Sequence, residues 1–94
     1  MTTVADHVIS TLQASGITRM YGLPGDSLNG LTDAIRRAEH FSWEHVRHEE
    51  TAGFAAAADA ALTKRLAVCA GSCGPGNLHL INGLFDAQDR KSVV

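Results

Sequence analysis

Cysteine is scarce in this chain of 94 residues: only Cys69 and Cys73 occur, four positions apart. Two thiols cannot make a disulfide framework, and without a second cysteine pair or a histidine pair at finger spacing they cannot complete a four-ligand zinc site. No metal site is expected, and both cysteines read as small buried or loop residues. Basic charge is equally short. Eight Lys and Arg stand against ten Asp and Glu, a formal net charge of −2, which gives no electrostatic footprint for nucleic acid or an anionic membrane. No apolar run reaches membrane-spanning length, and Met1-Thr2-Thr3-Val4-Ala5-Asp6-His7 lacks the basic segment and apolar stretch of a secretory signal. A cytoplasmic protein without an integral membrane segment is the expectation. Internal repeats, low-complexity tracts and linkers are also missing.

The residues present, 45% hydrophobic and 19% charged, suit one small globular domain. A chain of this length buries a little under roughly 70% of its unfolded surface, so its margin of stability is thin. Helix and strand patterns alternate along it. Val4, Val8, Ile9 and Leu12 mark one face of a helix over about 3–15, which Gly16 is placed to end. A strand over 17–23 leads into the turn Gly22-Leu23-Pro24-Gly25, and Asp26 or Ser27 is expected to cap a helix carrying Leu28, Leu31, Ile35 and Ala38. A second strand spans 41–46. The helix expected over 49–63 holds seven alanines and Gly53, so it should approach neighbours closely on several sides. The apolar run 66–70 reads as a parallel strand covered on both faces. After the loop Gly71-Ser72-Cys73-Gly74-Pro75-Gly76 comes a fourth helix with Leu78, Ile81, Leu84 and Phe85. The order αβαβαβα predicts an α/β fold, a three-layer parallel sheet with flanking helices.

Parallel topology brings the loops at 22–26, 47–50 and 71–76 to one edge of the sheet, where such folds gather their ligand chemistry. Each loop alone is weakly informative. Gly-Pro-Gly is most often a tight turn, and Glu49 at a helix start suits the helix dipole before any chemistry. His48 suits a surface or capping role. The loop at 71–76 matches neither the dinucleotide fingerprint nor a P-loop, which leaves phosphate binding unsupported.

Three longer stretches carry more. Gly25-Asp26-Ser27-Leu28-Asn29-Gly30-Leu31, Arg47-His48-Glu49-Glu50 with its alanine helix, and the run from Leu66 through Gly74-Pro75-Gly76-Asn77-Leu78-His79 to Asp86-Ala87 together resemble the N-terminal pyrimidine-binding domain of thiamine diphosphate-dependent enzymes. The likeness is greatest to the quinone-linked pyruvate dehydrogenases, or pyruvate oxidases, with acetolactate synthases more distant. It implies that Glu49 is catalytic, hydrogen-bonding N1′ of the aminopyrimidine ring so that the ring can take the thiazolium proton before a 2-oxo acid such as pyruvate loses carbon dioxide. It also implies that Pro24, Gly25, Pro75 and Gly76 line the pyrimidine pocket, where glycine lets a flat ring approach the backbone. A dry alanine surround would raise the Glu49 pKa and a helix N-terminus would lower it. Asn82 and His79 lie nearby without an assigned role, and Ala57 replaces a frequent glycine of the family, which bears on close helix packing.

The resemblance covers residues 1–87, read as a partial N-terminal domain. Residues 89–94 coincide with one translated frame of a short-read sequencing adapter, so 88–94 is expected to be a non-family tail of artefactual origin. Only the pyrimidine half of the thiamine diphosphate site falls in this chain. Sites for magnesium and FAD, and a homo-oligomeric assembly, are expected of the full-length parent, which would be cytoplasmic or peripheral at the membrane. The chain is expected to be inactive alone. An acetolactate synthase-like fragment and a non-catalytic remnant or interaction module are the alternatives.

Overall fold

Thr3 starts the first helix through a reciprocal cap. Its hydroxyl accepts from the Asp6 N–H at 3.1 Å, while the Asp6 carboxylate accepts from the Thr3 N–H at 2.9 Å. The resulting helix α1, Val4–Ala14, stops at Gly16, whose φ of +88° a side chain would resist. These contacts belong to a computed structural model that describes residues 2–89, 91, 93 and 94. The further elements are β1 (Arg19–Gly22), a 3-10 turn (Asp26–Leu28), α2 (Asn29–Arg37), β2 (Ser42–His45), α3 (Glu49–Thr63), β3 (Cys69–Ala70), α4 (Pro75–His79) and α5 (Ile81–Asp89).

The three strands are parallel in the order β2-β1-β3, with Met20 opposite Trp43 and Tyr21 opposite Cys69. Successive side chains of a strand face opposite ways, which explains why two separate cores form. Met20 joins Ile9, Ile17, Ala34, Ile35 and Phe41 beneath α1 and α2, with Trp43 and Val68 packed alongside. Tyr21 and Cys69 instead meet Ala56, Ala60 and Ala67 under α3. The sheet is therefore covered on both faces, as the α/β expectation required. Cys69 is partly buried and Cys73 lies exposed in a loop, both as free thiols. Burial pushes the Cys69 thiol pKa up.

Differences from expectation have local causes. The apolar run 66–70 yields a strand of only two residues, and Leu66 is largely exposed. The last helix breaks at Leu80; Leu78 on α4 is exposed, and Ile81, Leu84 and Phe85 stay exposed because α5 turns Gly83 and Ala87 inward. Ala57, expected to bear on close helix packing, is fully buried. Within the segment 88–94, Arg90 and Ser92 lie outside the described residues. Val93 offers its carbonyl to the Ala67 N–H at 3.0 Å, and Val94 packs on the alanine core under α3.

Gly30 lies within α2, and a Cβ added there meets nothing within 4 Å. Gly30→Ala should therefore stabilise the chain by about 0.5–1 kcal/mol, since alanine loses less backbone freedom in a helix. Thermal unfolding followed by circular dichroism checks this; a lower midpoint would contradict it. No helix among the described residues is long and apolar enough to cross a membrane.

Candidate active site

The strand order creates the site. From central β1 the chain goes to β2 on one side and later to β3 on the other, the reversal of strand order at whose carboxyl ends folds of this kind bind their ligands. Two hydroxyls fasten those loops together. Ser27 Oγ lies 2.7 Å from Ser72 Oγ and accepts the Cys73 N–H at 3.1 Å. This corrects the expected cap: Asp26 and Ser27 do not start α2 with a side-chain bond, since both lie in the 3-10 turn that precedes it and Ser27 is engaged with the 71–76 loop instead.

Ser72 sits between the glycines of the two loops. A Cβ on Gly25 would come 2.8 Å from Ser72 Oγ, and one on Gly76 would lie 3.4 Å from Ser72 Cβ and 3.2 Å from Glu49 Oε1. Gly25 and Gly76 thus meet at Ser72, and Glu49 reaches Gly76, so the three loops come together as the parallel topology led us to expect. Pro24 and Pro75 are exposed, each one residue before the glycine that makes the approach. Pro75 also occupies the first turn of α4, where its missing N–H costs nothing.

Glu49 is the first residue of α3 and has only 13% of its side-chain surface exposed. Its own backbone N–H, followed by the His79 ring, holds its carboxyl below the ordinary carboxylate range. The competition left open between a dry surround and a helix start is decided in favour of the helix start, because donors reach the carboxylate directly and outweigh desolvation. His79 Nδ1 lies 3.2 Å from Glu49 Oε2. An ionised carboxylate can only accept, so this ring nitrogen carries the proton. His48 fulfils the capping role expected of it: its Nδ1 accepts from the Glu50 N–H at 3.1 Å. The His48 and His79 rings lie 4.5 Å apart between centroids, tilted by 30°. Asn82 donates to Glu50 Oε2 at 2.8 Å, adding a second tie between the first turn of α3 and the last part of the chain.

His79, Asn82 and Ser72 are therefore candidate-site residues that received no role from the sequence, and Ser27 received only that of a helix cap. Their signal there was weak, since 30 residues or more separate each from its partner.

The depressed carboxyls of Glu49, Asp6 and Asp33 set a pH dependence. Asp6 and Asp33 owe theirs chiefly to the Thr3 backbone N–H and to Arg36. Lowered folded-state values mean that the stability they contribute is complete above the unfolded carboxyl range, about pH 4, and disappears as pH falls through the folded values. Urea midpoints measured from about pH 6 to about pH 3 should fall, with a shallower fall in Glu49→Gln. An unchanged slope in that variant would contradict the contribution of Glu49.

A parallel α/β domain with a reversal of strand order, and at the strand ends beside it a carboxylate on a helix start and backbone glycines, has the features of a ligand- or cofactor-binding domain. Sequence comparison supplies the family. Residues 2–94 match the N-terminal TPP-binding domain of thiamine pyrophosphate enzymes, and the chain belongs to that family. Similar proteins include an uncharacterized 42.6 kDa protein from Pseudomonas amyloderamosa, 67% identical over 99% of this chain and 24% of that protein. A pyruvate oxidase of Lactiplantibacillus plantarum is 48% identical over 87% of this chain and 14% of its own length. An acetolactate synthase of Mycobacterium bovis is 36% identical over 92% of this chain and 14% of its own. The chain thus spans a quarter or less of these relatives.

Thiamine diphosphate, another name for the pyrophosphate, has a flat aminopyrimidine ring with a weakly basic nitrogen. The residues present fit it: Glu49 offers a carboxylate oxygen 3.2 Å from where a Cβ on Gly76 would stand, so glycine there keeps side-chain atoms away from that oxygen.

Proposed function

We propose that this chain forms the pyrimidine-binding half of the cofactor site in a thiamine diphosphate-dependent enzyme that decarboxylates a 2-oxo acid. The observation that carries this is the carboxylate of Glu49 placed at the start of α3, against the His79 ring and beside the backbone of Gly76. Glu49 is the catalytic residue of the proposal, and Pro24, Gly25, Pro75 and Gly76 are its cofactor-binding walls. When bound, the cofactor supplies a carbon nucleophile and an electron sink for loss of carbon dioxide. The chain supplies the rest of the local chemistry. Glu49 favours a proton on the ring nitrogen next to it, because an adjacent negative charge stabilises the charged form of a base. His79 and the Glu49 backbone N–H fix the carboxylate in position. Gly25 and Gly76 let the ring lie against main chain, and Ser27 and Ser72 hold the two loops at their separation.

Pyruvate is the proposed substrate, with oxidation favoured over acetolactate formation by the higher identity to the pyruvate oxidase. Magnesium, FAD and the homo-oligomer are proposed for the whole enzyme, outside these 94 residues. A cytoplasmic setting is proposed with them, in keeping with the free thiols of Cys69 and Cys73. The test is a chimera in which the aligned 83 residues of the Lactiplantibacillus pyruvate oxidase are replaced by those of this chain. Pyruvate turnover that depends on added thiamine diphosphate supports the function. A chimera that folds and binds the cofactor but turns over no 2-oxo acid refutes it.

A further inference from the structure

We propose that His48, Glu49 and His79 form a binding site for a borderline-soft divalent cation of the zinc type. One ligand atom from each of the three lies within 4.8 Å of the other two. Two of these residues already touch, with Glu49 Oε2 3.2 Å from His79 Nδ1, and the two imidazoles are neighbours at 4.5 Å. Two imidazoles and one carboxylate are a set that zinc accepts in open sites, with bonds of about 2.0–2.2 Å and a fourth position left to water. Around a tetrahedral ion with such bonds, ligand atoms stand roughly 3.5 Å apart, so the widest separation here must close by about 1 Å. Rotation of the rings can supply that, because both histidines are exposed while Glu49 stays fixed on its helix.

The donor chemistry selects the ion. Imidazole nitrogen suits zinc, copper and nickel, whereas magnesium prefers an all-oxygen octahedron and keeps its water. The proton on His79 Nδ1 must leave that nitrogen, moving to Nε2 of the same ring as the ion replaces it beside Glu49. His48 Nδ1 carries no proton, since it accepts from the Glu50 N–H, so ligation there exchanges one hydrogen bond for the ion. The ion can reach the site without any opening of the fold, because both histidines are exposed. On the function proposed above, the ion and the aminopyrimidine nitrogen compete for one carboxylate, and zinc would block the cofactor. Ion binding itself does not depend on that function.

The decisive experiment titrates zinc chloride into the 94-residue chain carrying Cys73→Ser, which removes the exposed thiol as a competing ligand, and follows the ring C–H resonances of the five histidines. At one ion per chain, His48 and His79 should shift or broaden while His7, His40 and His45 stay unchanged, and magnesium chloride should do nothing. His79→Asn should weaken zinc binding at least tenfold. A response centred on His7, His40 or His45, no response at tenfold excess of zinc, or full affinity in folded His79→Asn would overturn the site. Thiamine diphosphate plays no part in this titration, so its failure leaves the enzymatic proposal standing, and the converse holds for the chimera.

Discussion

Glu49→Gln should abolish or nearly abolish pyruvate turnover in the chimeric oxidase, with kcat falling by about 10²–10⁴ as expected for loss of a positioned acid–base group. The amide keeps the shape of the side chain and removes its charge, so the ring nitrogen would lose the adjacent anion that favours its protonation. Binding should suffer less than turnover, because the walls at Gly25 and Gly76 and the Ser27–Ser72 tie are untouched. The variant should fold. The amide is nearly isosteric with the carboxylate, and His79 can still donate to its carbonyl. Steady-state kinetics with saturating cofactor measure the effect, and near-normal kcat would remove Glu49 from the mechanism.

Gly83→Ala should destabilise the fold severely, although it adds only one methyl group. Helix α5 lies on α3 with Gly83 against Gly53, and a Cβ on Gly83 would stand 2.3 Å from the Gly53 carbonyl carbon and 2.7 Å from the Phe54 nitrogen. Those are backbone atoms, so no rotamer change relieves the clash and the helices must part. Overpacking of this kind costs about 3 kcal/mol or more. In a domain of this size that lowers the melting temperature by roughly 10–20 °C. A small core leaves little reserve, and the variant should be largely unfolded at moderate temperature. The Gly30→Ala chain is the matched control, adding the same methyl to a helix with open space around it. If Gly83→Ala melted with the parent chain, the close crossing of α3 and α5 would be wrong.

The same crossing places the site. Gly53 and Gly83 bring the helices together, and one turn earlier in α3 Glu49 and Glu50 meet His79 and Asn82. Loss of the crossing should therefore loosen the carboxylate as well as the fold. This connects two glycines that carry no chemistry to the geometry of a residue that does.

Much was legible in the order of the residues. Apolar spacing and the stops at Gly16 and Gly22–Gly25 outline helices and strands close to their observed bounds, and 49–63 matches α3 to the residue. Alternation of helix and strand implied parallel pairing, and parallel pairing implied that Glu49 would meet the glycine loops. Local chemistry also reached His48, read as a surface or capping histidine, which is exposed and accepts the Glu50 N–H at the start of α3.

What the chain order could not decide were quantities set by contacts between distant segments. The Glu49 carboxyl could have gone either way until its own N–H and His79 were placed beside it. Ser27 reads as a helix cap in sequence and becomes a tie between loops only when β3 lies next to β1. His79 is an isolated histidine until α4 returns to the start of α3. Periodicity acts over a few residues and is written in the sequence; electrostatic and steric terms act through space, and only the tertiary fold determines which groups share it.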